Sequence, residues 1–170
     1  MSFAQYALNA GLLVFILASN LGTRSVTRWR LTIPVVLVVV AGAVLLQDAP
    51  TGGGDVRLVA VGVTAGLLLG VLAGLLVRVR QAAGGLVMVA GAGYAALWTM
   101  VIAGRMLFAF GADHWFAAGI GRFSYVNGIS GADAWTTAFV LMALTMVLTR
   151  IAVTALAILA ARRGAAALPA

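Results

Sequence analysis

The sequence predicts an all-α fold: a polytopic membrane protein built as a bundle of five transmembrane helices. Three observations predict it. Hydrophobic residues fill 64% of the 170 positions and charged residues only 9%, against about 45–50% and about 25% in soluble domains. Polar surface so scarce cannot cover a water-facing particle. The apolar positions form long continuous runs instead of the alternation a barrel strand needs. The cations are dispersed in small groups, mostly in the gaps between the runs.

The runs place helices at about 3–21, 32–47, 57–77, 85–110 and 134–161, inside a single domain over 1–163. The first run lacks a basic leader, since no cation precedes Arg24, and LASNLG is a poor cleavage site. It reads as a retained helix whose N-terminus lies outside. The second run carries Pro34 in its first turn, where a backbone N–H has no intrahelical partner to lose. The third and fourth are joined by the short loop RVRQAAG. The stretch 114–133 is too polar to span. Its Trp115, Phe116, Phe123 and Tyr125 suit a segment lying on the outer membrane surface, either as a short interfacial helix or as irregular chain, and Asn127–Gly128 is a turn signal. Asp133 is placed to cap the fifth helix, and the tail GAAALPA (164–170) reads as disordered.

Loop charge sets the expected orientation. Arg24, Arg28 and Arg30 follow the first run, Arg78 and Arg80 the third, Arg162 and Arg163 the fifth. Five crossings put these seven arginines on one side, against Arg57 and Arg122 on the other, where all four aspartates also fall. The positive-inside rule makes the arginine-rich side cytoplasmic, so the N-terminus is outside and the C-terminus inside. Trp115, Trp135 and Tyr6 fall at the outer interface, whereas Trp98 sits in mid-helix and must face protein or lipid.

The third run contains Gly62, Gly66, Gly70 and Gly74, a ladder spaced by four. Glycines at that interval form one groove into which another helix backbone can settle. The favoured partner is the fourth run, with its small Gly91, Ala92, Gly93, Ala95, Ala96, Ala103 and Gly104; the alternative is a second copy of the chain.

Two arginines lie inside the runs. Arg105 sits near the outer end of the fourth helix, and its Cα–Cβ bond tilts toward the helix N-terminus, away from the nearer surface. Three roles are open: snorkelling to headgroups, bonding to Gln5 and Asn9 or to carbonyls near Gly104 and Gly111, or a ligand site. Arg150 lies deeper, on one face with Met142, Met146 and Thr154. A structural or snorkelling role is the simpler one. The sharper one is an anionic headgroup or small anion held between the fourth and fifth helices. The candidate ligand-binding residues are therefore Arg105, Arg150, Asn9 and Gln5.

Composition excludes several chemistries. There is no cysteine, hence no disulfide, thiolate metal site, covalent haem or thiol redox. One histidine, no glutamate and no lysine leave no nucleophile–base pair and no metal ligand set, so no metal and no cofactor is expected. His114 beside Asp113 is more simply an incidental surface pair than a proton relay. The charge of +7 lacks the arginine runs and interleaved aromatics of nucleic-acid binding.

RSVTRWRLTIPVVLVV (24–39), the glycine-spaced helix ending in VRVR (77–80), and the G-x-x-x-x-A-x-W helix with its late arginine (Gly91 to Arg105) follow in that order. Over about residues 10–110 this order resembles the CcdC-like family of small bacterial membrane proteins, named for an association with cytochrome c maturation. Arg28, Arg30, Pro34, Arg78 and Arg105 carry the likeness. It implies a multi-pass protein of the bacterial plasma membrane and no catalytic residues. The expected function is that of a non-enzymatic accessory or assembly factor in the cell envelope. The alternative is a small oligomeric transporter or channel for an anionic or lipidic ligand. Its expected partners are the lipid bilayer, anionic lipid, and a second copy or another membrane protein.

Overall fold

The structure, a computed structural model, describes residues 22–25, 32–33, 35–36, 38–40, 52–82 and 85–166. Residues 32–33, 35–36 and 38–40 are helical. The first expected helix (3–21) and most of the second (32–47) lie outside the described residues. The elements that follow are strand β1 (Gly22–Ser25), helix α1 (Gly53–Leu75), strands β2 (Val77–Ala82) and β3 (Gly85–Ala90), and helices α2 (Ala92–His114), α3 (Ala117–Asn127) and α4 (Ala132–Ala166). The protein is thus predominantly helical and membrane-embedded: α1, α2 and α4 over Ala132–Arg163 are long and apolar enough to cross a bilayer. These are three candidate spans among the described residues, where five were expected over the whole chain.

Each helix starts and stops for a local reason. Gly52 precedes α1, with Asp55 in its first turn, where a carboxylate meets the positive end of the helix dipole. The chain leaves α1 at Leu76 and enters VRVRQA, whose two-residue alternation suits a strand. Helix α3 ends in a Schellman motif: Gly128 adopts φ +65°, its N–H reaches the Tyr125 carbonyl, and the Ile129 N–H reaches that of Ser124 at 2.8 Å. Gly131, at φ +126°, makes the second left-handed step before α4. Asp133 lies in the first turn of α4. That helix continues through 164–166, where the tail was expected to begin, and 167–170 lie outside the described residues.

The strands add a feature to the helical architecture. Residues 78–82 of the expected loop belong to one strand of an antiparallel hairpin, and the start of the expected fourth helix, 85–90, is its other strand. The sheet order is β1-β3-β2, with Arg24 opposite Met88 and Arg78 opposite Val89. A short apolar run such as GLVMVA fits a buried strand or a helix equally well by periodicity. Gly85 and Gly91 bracket it, and its β-branched Val87 and Val89 favour the strand.

The glycine ladder does not receive α2, as expected, but α4. A Cβ at Gly62 would stand 2.6 Å from the Ala138 carbonyl oxygen, and one at Gly70 2.6 Å from that of Met146; a Cβ at Gly66 would collide with the Met142 carbonyl. Each step of four on α1 matches a step of four on α4, so the two helices run parallel in backbone contact. Residues Met142 and Met146, with Thr154, do share the inward face. Helix α2 packs through larger side chains instead. Tyr94 (1% exposed) and Trp98 (6%) join Ala73, Val77, Ala90 and Met146 in the core, at the end where the sheet lies.

Candidate functional site

The two intramembrane arginines belong to different places. Arg150 is level with Gly74, near the C-terminal end of α1, and its Nη1 donates to the Tyr94 hydroxyl at 2.5 Å. The guanidinium carbon also stands 5.3 Å from the Tyr94 ring centroid, within cation–π range. Arg150 therefore does face the helix of the fourth run, but what it meets there is a neutral phenol at the edge of the apolar core. Thr154 donates to the Arg150 carbonyl at 2.9 Å, one turn on.

Arg105 lies about 16 Å further along α2 from Tyr94, at 1.5 Å per residue. It lines a cavity of about 580 Å³ together with Phe108, Ala109 and Ala112. These positions recur at three, four and seven residues and so form one stripe of the helix. The stripe faces α3 and the first turns of α4. Because α2 extends to His114, Arg105 sits about 13 Å from the helix end, deeper than an end at residue 110 implies. Among the described residues no hydrogen bond or ion pair reaches it. Its proposed partners Gln5 and Asn9 lie outside the described residues.

Aromatic rings wall the cavity. Phe108 stands 5.2 Å from Trp135 and 5.1 Å from Phe139, centroid to centroid. Trp135 Nε1 donates to Ser124 Oγ at 3.1 Å, so its ring is held by α3 as well as by packing. The lining also includes Asp113, Tyr125 and Thr136. Pairing α2 and α4 by helical rise puts Arg105 level with Phe139, and Asp113 and Ala132 toward the end where α3 crosses. The cavity is thus mainly apolar and aromatic, with a cation at the end away from α3.

The linker over this cavity is tied down by a buried acid. Asp55 is 0% exposed; its Oδ1 accepts the Ser130 N–H at 2.8 Å, and its Oδ2 accepts the Ser130 hydroxyl. Ser130 lies between Ile129 and Gly131, both of which line the cavity. Gly54 leaves room for the Asn127 and Gly128 carbonyls, which a Cβ there would strike. In sequence Asp55 looked like one outer-loop acid among four, and nothing local singled out Ser130. The aromatic wall carried a readable sign, the stripe Arg105, Phe108, Ala109, Ala112; its other half, on α4, is set only by packing. Tyr94 was equally hidden, because its link to Arg150 spans 56 positions.

His114 is exposed and stacks on Phe110 at 4.2 Å, its Nδ1 3.0 Å from the Phe110 carbonyl, one turn from the rim of the cavity. No cluster of metal-ligating side chains forms among the described residues. No family model, no curated protein and no solved structure matches this chain.

Proposed function

We propose that this is a non-enzymatic integral membrane protein that acts as an accessory factor of the cell envelope by holding an anionic or lipidic ligand. The observation that carries the reading is the aromatic cavity with Arg105 in its lining. Its volume falls in the range of about 300–1,000 Å³ typical of small-molecule pockets. An intramembrane cation is a functional candidate by default, since its insertion costs about 2.5–3.5 kcal/mol on translocon scales. The resemblance to the CcdC-like family of bacterial plasma-membrane proteins agrees with an accessory role.

The proposed placement has five spans, with the N-terminus outside and the C-terminus cytoplasmic. Arg78 and Arg80 follow α1 and Arg162 and Arg163 lie in the last turns of the parallel α4, while β1 brings Arg24 beside the same hairpin. Arginines at one end favour that end as the cytoplasmic one. A homo-oligomer or partner membrane protein would use the outward side chains of α1 and α2, such as Val61, Leu68 and Met100, because α4 already fills the ladder.

The second reading, a small transporter or channel, draws on cations at both levels of the bundle. The packed core of Trp98, Val101 and Ile102 lies between them on α2 and speaks for binding over passage. The test is mass spectrometry of protein extracted in mild detergent. Wild type is expected to retain an amphiphile that Ala112→Phe, which fills the cavity, loses. Retention of the same species by both proteins would overturn the assignment. Flux through protein-loaded liposomes would establish the second reading.

A further inference from the structure

We propose that the cavity beneath α3 takes a compact amphiphile with one anionic head, a carboxylate or a phosphate ester, seated acid-first against Arg105. The proposal rests on the binding role inferred above and specifies its ligand. Three observations lead to it. Charge comes first: among the described residues the lining holds one cation, Arg105, at the end away from α3, and one acid, Asp113, toward the α3 end. A guanidinium offers a planar pair of donors suited to a carboxylate or phosphate. Among the described residues a cationic head finds no acid at the Arg105 end.

The second is the character of the walls. Phe108, Trp135 and Phe139 enclose the space next to Arg105, so the part of the ligand behind its head must be apolar. A free inorganic anion would leave those rings facing empty volume, while an alkyl or ring body covers them. The third is size and closure. A volume of about 580 Å³ suits a drug-sized body and not two long acyl chains. The linker that bears Ile129 and Gly131 is clamped to α1 through Asp55 and Ser130, which limits how far the cavity can widen.

The experiment uses the full chain in phosphatidylcholine nanodiscs, titrated with decanoate, decyl phosphate, decanol and decylammonium, with empty discs subtracted. Native mass spectrometry counts bound molecules, and Trp fluorescence, compared with Trp135→Phe, reports occupancy. Decanoate or decyl phosphate is expected to bind at least tenfold more tightly than decanol, with no saturable decylammonium binding. Arg105→Gln is expected to erase that discrimination, Arg105→Lys to keep part of it, and Arg150→Gln to leave it unchanged. Whichever anionic probe binds more tightly identifies the head. Equal binding of decanol and decanoate by wild type would overturn the anionic head while leaving the binding role intact, and needs no variant to fold. A two-chain phospholipid retained in the cavity and lost in Arg105→Gln would overturn the compact body. Failure of all four probes would instead remove the binding role itself.

Discussion

Asp55 and Ser130 show how much one buried side chain can organise. The carboxylate accepts both a backbone N–H and a hydroxyl from a residue 75 positions away, so the first turn of α1 holds the α3–α4 linker. A buried acceptor stripped of its donors is costly, because the lost hydration is not recovered. Asp55→Ala and Ser130→Ala should each lower the midpoint of thermal unfolding, and the double variant should lose less than the sum of the two. Additive effects in that double-mutant cycle would mean the two groups act independently. At the other end, Tyr94→Phe keeps the ring beneath Arg150 and removes only the acceptor oxygen. It is expected to cost about 1–3 kcal/mol, as for a hydrogen bond to a charged group. Tyr94→Ala should cost about 3–5 kcal/mol, since it also opens a cavity in the core. Chemical denaturation in detergent would separate the two variants.

Among the elements, the α1–α4 pair is held by backbone proximity and α2 by large side chains, and the two modes predict opposite responses to added volume. Gly66→Ala pushes a methyl group into the Met142 carbonyl, which belongs to a helix backbone and cannot rotate away. A loss of about 1–3 kcal/mol is expected, typical of overpacking. Gly104 has nothing within 4 Å of the place its Cβ would take. There the same substitution should stabilise α2 by about 0.5–1 kcal/mol, the conformational advantage of alanine over glycine in a helix. Matched unfolding curves for the two variants check the sign. The ladder was legible in sequence because a spacing of four is a local property. Its partner was not, since both α2 and α4 present small residues and only packing chooses between them.

At the scale of the whole molecule, the proposed placement sets the sheet end and the α3 end toward opposite faces of the bilayer. Strand edges with unpaired backbone groups are not tolerated in hydrocarbon, so the sheet with Arg78 and Arg80 belongs at or beyond the interface. Helix α4, at 35 residues and about 52 Å, outruns a hydrocarbon layer of about 30 Å and projects past that end. The chain contains no cysteine, so single-cysteine variants report topology without background. Gln81→Cys and Tyr125→Cys, both exposed positions, are expected to react with an impermeant maleimide from opposite sides of sealed vesicles. Labelling of both from the same side would contradict the alternating arrangement.

The amino-acid sequence by itself determined the solvent this protein folds in, the apolar helices α1, α2 and α4, and the turn at Asn127–Gly128; that the segment before that turn is helical was left to the fold. The first three follow from composition and from patterns within one or two helical turns, where local sterics and hydration decide. It also exposed Arg105 and Arg150 as unusual, because a cation inside an apolar run is visible without a fold. Tertiary structure alone decided that 85–90 pairs as a strand, that the ladder takes α4, and that Arg150 meets Tyr94. It also placed Arg105 in the lining of an aromatic cavity. Each of these depends on which distant segment arrives first or fits best, and an apolar surface offers many partners of nearly equal attraction. Shape at close range, a missing Cβ or a phenol at the right height, selects among them.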